Sequence, residues 1–177
     1  EKAGGEPFAR VMERLLFEPL GMARTVVPER AGLDDASSYT PRSILRNRRG
    51  IEADGSPEYS CLAGAGALLS TPTDLVRLGS AVLKPGLLKA ETISALQTPT
   101  RLVSGAATTY ALGWTVGSVQ LAGVPTRMVS HRGSPRGGTV SLLTFPDLGL
   151  TVAAAANMTN VTGVNPLALQ VADTFAR

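Results

Sequence analysis

Cysteine and histidine are almost absent from this chain of 177 residues. Cys61 has no second thiol to pair with, so an intrachain disulfide framework is excluded. His131, the single histidine, and Cys61 together fall short of the three or four ligands of a zinc site, and no metal is expected. Aromatics make up only 5% of the chain, and none interleaves Arg42, Arg46, Arg48 and Arg49 to stack a base. That cluster reads as a solvated loop, in a chain whose net charge is only +3, and nucleic acid is not an expected partner. No apolar run approaches the roughly 18 residues that span a bilayer. The longest weakly polar stretch, Leu148 to Ala156, is interrupted by Gly149 and Thr151. The chain opens Glu1-Lys2-Ala3-Gly4, with neither an initiator methionine nor an apolar signal core, so its start is expected to be a cut.

What is present, 44% apolar and 18% charged residues, is enough to bury the core of one domain. Phe8, Val11, Met12, Leu15 and Leu16 recur at helical spacing behind Pro7, and Pro19 and Gly21 stop that helix. Thr71-Pro72-Thr73-Asp74 has the form of a helix start, with Thr71 as the cap and Asp74 reaching back as in a capping box. Leu75, Leu78 and Val82 then form a buried stripe, and a short helix spans Glu91 to Gln97. From Tyr110 the period becomes two: strands are predicted over Tyr110 to Val116, Val124 to Ser130, Thr139 to Phe145 and Leu150 to Ala156. Their short connections predict antiparallel neighbours. Asn165-Pro166 opens a last helix, with Leu167, Val171 and Phe175 on one face. Helices, then an antiparallel sheet covered by helices, make an α+β fold.

The stretch Ser130-His131-Arg132-Gly133-Ser134-Pro135-Arg136-Gly137-Gly138 sets the only histidine beside three glycines where a strand ends. Glycine there lets a substrate lie against the main chain, and an amide just after Gly133 is placed to meet a developing oxyanion. Ser134 lacks the Gly-x-Ser-x-Gly elbow of a nucleophile. A triad of His131, a serine and an acid such as Asp147 needs only residues of this chain, but its spacing has no support here. Trp114 and Tyr110 read as core, and Cys61 as a small buried residue.

Five landmarks in order carry a resemblance: Phe17-Glu18-Pro19-Leu20-Gly21-Met22, Ala63 through Leu75, Tyr110-Ala111-Leu112-Gly113-Trp114, His131-Arg132-Gly133, and Asn157. The chain resembles the C-terminal portion of serine β-lactamase-like proteins, the superfamily of penicillin-binding proteins, class C β-lactamases and related serine esterases. Leu88-Lys89-Ala90-Glu91-Thr92 and Gln97-Thr98-Pro99 make it most similar to the branch of mitochondrial β-lactamase-like serine proteins and their bacterial relatives. The resemblance implies that residues 1–177 are one segment of a single β-lactamase-like domain, the C-terminal part of that fold.

In this family a serine in Ser-x-x-Lys attacks a carbonyl to give an acyl-enzyme, and a Tyr-x-Asn tyrosine helps move protons. Neither motif occurs among the 177 residues, whose lysines are Lys2, Lys84 and Lys89 and whose tyrosines are Tyr39, Tyr59 and Tyr110. By family order both are expected before Glu1. What the resemblance assigns here is the third motif: His131 at its basic position, facing the tyrosine or a substrate carboxylate, Gly133 keeping the strand open, and the Ser134 amide as an oxyanion donor. Arg132 reads either as steering an anionic substrate or as a solvated loop arginine, Asn157 either as hydrogen-bonding near the cleft or as ending the strand, and Tyr39 is implied to line the rim. The implied partners are a small-molecule or peptide acyl substrate and the N-terminal half of the same fold, with no cofactor. Two functions stay open: a segment of a serine acyl hydrolase, inactive alone, or a non-catalytic binding or self-assembly module. A segment cut from such a fold is expected to expose a sheet edge and apolar helix faces.

Overall fold

The structure, a computed structural model, describes residues 5–27, 36–41, 50–53, 62, 64–66 and 68–177. Arg42, Arg46, Arg48, Arg49, Tyr59 and Cys61 lie outside the described residues. At its centre four antiparallel strands follow one another in sequence order: β3 (Thr115–Leu121), β4 (Val124–Gly133), β5 (Thr139–Phe145) and β6 (Leu150–Ala156). Helix α5 (Val164–Phe175) covers one face, while α3 (Pro72–Ala81) and α4 (Ala90–Leu96) belong to the other. The α+β layout of an antiparallel sheet packed by helices is the one expected from the sequence. A separate pair, β1 (Tyr39–Pro41) and β2 (Ile51–Ala53), is antiparallel within itself. Tyr39 also bridges in parallel to Met158, just beyond β6.

Alternation along the strands divides the apolar residues between two cores. Leu143, Phe145 and Val152 meet Ala168 and Ala172 of α5 on one face. Val129 and Leu142 meet Val82 and Trp114 on the other, with Leu75 and Leu78 of α3 packed against them. Phe145 and Leu143 are fully buried, and truncating either to alanine should cost about 3–5 kcal/mol. Gly79 is where α3 comes nearest the sheet: a Cβ there would stand 2.5 Å from Thr151 Cγ2.

Asp74 departs from the capping-box expectation in an informative way. Thr71 Oγ1 does accept the Asp74 amide at 3.3 Å, capping α3. The Asp74 carboxylate, only 1% exposed, turns elsewhere: it accepts the Arg24 amide at 2.8 Å, the Thr25 hydroxyl at 2.9 Å and the Arg77 guanidinium at 2.6 Å. Burial pushes its pKa up, but the Arg24 amide, Thr25 hydroxyl and Arg77 guanidinium outweigh this and hold the carboxyl below its ordinary range. The residue read as a local cap therefore ties the start of α3 to the segment that follows the first helices.

Those first helices are irregular. α1 (Phe8–Met12) runs into a π-turn over Glu13–Phe17 and a last turn, α2 (Glu18–Leu20). Pro19 is held within that last turn, and the stop comes at Gly21, left-handed at φ +64°. The Met22 amide returns to the Phe17 carbonyl at 2.8 Å and the Gly21 amide to Glu18 at 3.1 Å, a Schellman closure. Phe17 and Met22 are buried and Leu15 is exposed, the reverse of the expected stripe for Leu15.

Two further expectations are corrected. The strand predicted from Tyr110 begins only at Thr115, because Gly113 (φ +83°) turns the chain between Ala111 and Trp114. Trp114 is core as read, but Tyr110 and Leu112 are exposed. Helix α5 starts at Val164 and buries Val164, Ala168 and Ala172, while Leu167, Val171 and Phe175 face outward.

Candidate functional site

β4 outruns β3. Their pairing ends at Thr115↔Ser130, so among the described residues His131, Arg132 and Gly133 have a strand neighbour only on the β5 side. Antiparallel order brings the end of β4, the start of β5 and the end of β6 to one end of the sheet. Every candidate residue lies there.

A cleft of about 540 Å³ opens at this end, lined by Arg132, Gly133, Ser134, Thr139, Asn160 and Asn165 among others. Arg132 pairs with Ser141, whose hydroxyl donates to Asn165 Oδ1 at 2.9 Å, so it belongs to the α5 face. His131 pairs with Leu142 of the other core and stands on the opposite face, outside the lining of this cleft. Strand alternation thus separates two neighbours that the sequence reading had put in one site. His131 is exposed, and its Nδ1 lies 2.7 Å from the Gly113 carbonyl.

The Ser134 side chain is committed to the turn. Its Oγ accepts the Asn160 amide at 2.8 Å and lies 3.2 Å from both the Gly138 carbonyl and Thr139 Oγ1. Thr139 Oγ1 in turn donates to the Met158 carbonyl at 2.7 Å and accepts the Val161 amide at 3.0 Å. These bonds lock the β4–β5 turn to the loop after β6. Ser134 Oγ meets the Asn160 amide, the Gly138 carbonyl and Thr139 Oγ1, and His131 bonds a carbonyl rather than an acid. Asp147 sits in the β5–β6 turn at the far end of the sheet, which removes the triad reading.

Tyr39 and Asn157 are brought together. The Tyr39 amide donates to the Asn157 carbonyl at 2.9 Å, and Asn157 Nδ2 donates to the Ser37 carbonyl at 2.7 Å. The Thr159 amide donates to the Tyr39 carbonyl, and its hydroxyl accepts the Gly137 amide at 2.7 Å, joining this pair to the glycine turn. Sequence reasoning missed Thr139, Thr159 and Asn160, although the polar run Asn157-Met158-Thr159-Asn160-Val161-Thr162-Gly163 between a strand and a helix was a signal for a structured loop. Among the described residues no group of three His, Cys, Asp or Glu side chains could hold a metal ion. Nor is any described helix long and apolar enough to cross a membrane.

Comparison with known proteins agrees with this architecture. An octameric penicillin-binding protein homologue from Pyrococcus abyssi superposes with a TM-score of 0.77 at 20% identity, covering 99% of this chain and 39% of its own. A D-stereospecific amidohydrolase from Streptomyces sp. gives 0.73 at 22% identity, covering 90% and 46%. The D-amino acid amidase of Ochrobactrum anthropi SV3, complexed with L-phenylalanine amide, gives 0.67 at 17%, covering 99% and 53%. The chain therefore spans about half the length of these proteins or less, and the likeness is one of fold. No curated protein matches it. Residues 1–174 match the sequence model of the family described as Beta-lactamase, and with an antiparallel sheet and packed helices that match part of that scaffold, the chain belongs to the β-lactamase family.

Proposed function

We propose that residues 1–177 supply the His-x-Gly wall of a serine acyl hydrolase that cleaves an amide, peptide or ester through an acyl-enzyme. The observation that carries this is the open edge of β4 at His131–Gly133, beside a cleft on the Arg132 face. An extended substrate can lie along that edge as an added strand, its carbonyl beside Gly133. The Ser134 amide then donates to the oxyanion of the tetrahedral intermediate, a contact worth about 3–4 kcal/mol in such sites. His131 takes the basic position on one face of that edge, Arg132 attracts an anionic group from the cleft on the other, and Tyr39 and Asn157 shape the rim of this sheet end. The attacking serine and its proton shuttles come from outside these residues, in the N-terminal half of the same fold. Within the family, the segments at Leu88–Thr92 and Gln97–Pro99 support reading the chain as similar to the mitochondrial serine β-lactamase-like branch.

The test uses the complete polypeptide and a p-nitrophenyl ester. Gly133→Ala adds a Cβ that meets nothing nearer than Pro135 Cδ at 3.9 Å, so the fold tolerates it. Substrate should not: kcat/KM is expected to fall about tenfold or more with an unchanged melting temperature. A complete polypeptide that hydrolyses no activated ester or amide overturns the proposal.

A second reading, a non-catalytic assembly module, is favoured by the missing Ser-x-x-Lys and Tyr-x-Asn motifs and the outward apolar face of α5. The Pyrococcus homologue is described as octameric. A discrete, well-folded oligomer without turnover would favour this reading.

A further inference from the structure

We propose that Gly113 is a positioning residue for His131: its carbonyl holds the neutral imidazole as the Nδ1–H tautomer and leaves Nε2 as the acceptor offered to the reacting groups. A carbonyl oxygen only accepts, so the 2.7 Å contact requires the proton on Nδ1. Free histidine in its neutral form prefers the proton on Nε2, so the fold reverses an intrinsic preference. Both partners are anchored in the same core. Trp114, next to Gly113, and Val129, two residues before His131 on the same face of β4, pack in one cluster. The turn is held on its other limb by the Ala111 amide on the Trp114 carbonyl and the Val116 amide on the Thr109 carbonyl, each at 2.7 Å. The left-handed backbone at Gly113 (φ +83°) belongs to that turn, and a side chain there would be strained although no atom lies within 4 Å of its Cβ.

The functional consequence rests on the reading of His131 as part of the active-site wall. A neutral ring with Nδ1–H accepts at Nε2 and cannot donate there. It therefore suits a hydroxyl, such as the tyrosine shuttle or an alcohol leaving group, and not a substrate carboxylate. Of the two contacts the family resemblance allowed for His131, the geometry selects the first for the neutral ring.

His131 is the only histidine, so the chain labelled with ¹⁵N-histidine gives a single pair of ring nitrogens in a long-range ¹H–¹⁵N spectrum. The spectrum is recorded on chain whose Trp114 near-ultraviolet dichroism reports native packing, and at a pH where the ring is neutral. The expected result is a pyrrole-like Nδ1 and a pyridine-like Nε2. Dominance of the Nε2–H form overturns the proposal. Gly113→Ala keeps the carbonyl but strains the left-handed backbone, so where the folded variant's turn is displaced the ratio should shift toward Nε2–H, and a displaced turn with an unchanged ratio also overturns the proposal. In the complete polypeptide the same substitution should lower kcat with KM little changed. An Nδ1–H ring in a polypeptide that hydrolyses nothing would sink the proposed function and leave the tautomer standing; hydrolysis with an Nε2–H ring would do the reverse.

Discussion

The Tyr39 amide donates to the Asn157 carbonyl at 2.9 Å, although 118 positions separate the two residues. This bond and the return bond from the Thr159 amide lay the 36–41 segment along the continuation of β6, at the sheet end where the cleft opens. The Asn157 side chain adds a third tie through the Ser37 carbonyl. Asn157→Ala removes only that tie, worth about 0.5–1.5 kcal/mol. Hydrogen exchange at the Tyr39 and Thr159 amides should therefore accelerate by up to about tenfold. Unchanged exchange would show that the side chain contributes nothing to holding the rim.

Asp74 makes stability depend on acid. Its folded pKa is lowered, so its contribution is fully present above the unfolded value of about 3.9 and is lost as pH falls through the folded one. Asp74→Asn should cost about 1–3 kcal/mol at neutral pH: its one amide oxygen can still accept the Thr25 hydroxyl and Arg24 amide, but the charge is gone and an NH2 donor meets the Arg77 guanidinium. Denaturant melts from pH 7 down to 3 should show a steeper loss for the parent than for the variant. Parallel curves would contradict the assignment.

Gly79 and Thr151 define how closely α3 can approach β6. Alanine at 79 gains about 1 kcal/mol of helix propensity but drives its Cβ into Thr151 Cγ2, a cost of about 1–3 kcal/mol. Gly79→Ala should therefore lower stability on balance, and adding Thr151→Ser, which deletes that methyl group, should recover most of the loss. Failure of the pair to couple in a double-mutant cycle would show that the contact is not the cause.

The outward stripe of α5 bears on association. Leu167 is 55% and Phe175 72% exposed, and among the described residues β6 pairs only with β5. The lone chain should associate, with Leu167→Lys and Phe175→Glu together shifting it toward monomer in light scattering. A sharp, concentration-independent melt of the unaltered monomer would contradict this.

These particulars also show what the sequence made legible. β5 and β6 were read to the residue because alternation and a Pro-Asp-Leu-Gly turn bound them. Tyr110 to Trp114 imitated the same alternation, but Gly113 turns the chain, and no periodicity count registers a positive φ. Helix α5 carries two apolar stripes. The larger residues Leu167, Val171 and Phe175 dominate the periodicity, whereas the small Ala168 and Ala172 let the helix settle on the sheet. At the site, His131-Arg132-Gly133 marked the right strand end, while the opposite facing of His131 and Arg132 followed from pairing that only the structure displays. The hydroxyl network of Ser134, Thr139 and Thr159 joins distant loops and leaves no local pattern.

The central claim concerns where the acylated residue lies, and mass spectrometry after exposure to a fluorescent penicillin or an activated ester reads it directly. The account predicts an adduct on the complete polypeptide that maps outside residues 1–177, with none on this chain alone. A covalent adduct on any of the 177 residues, Ser134 above all, would contradict it.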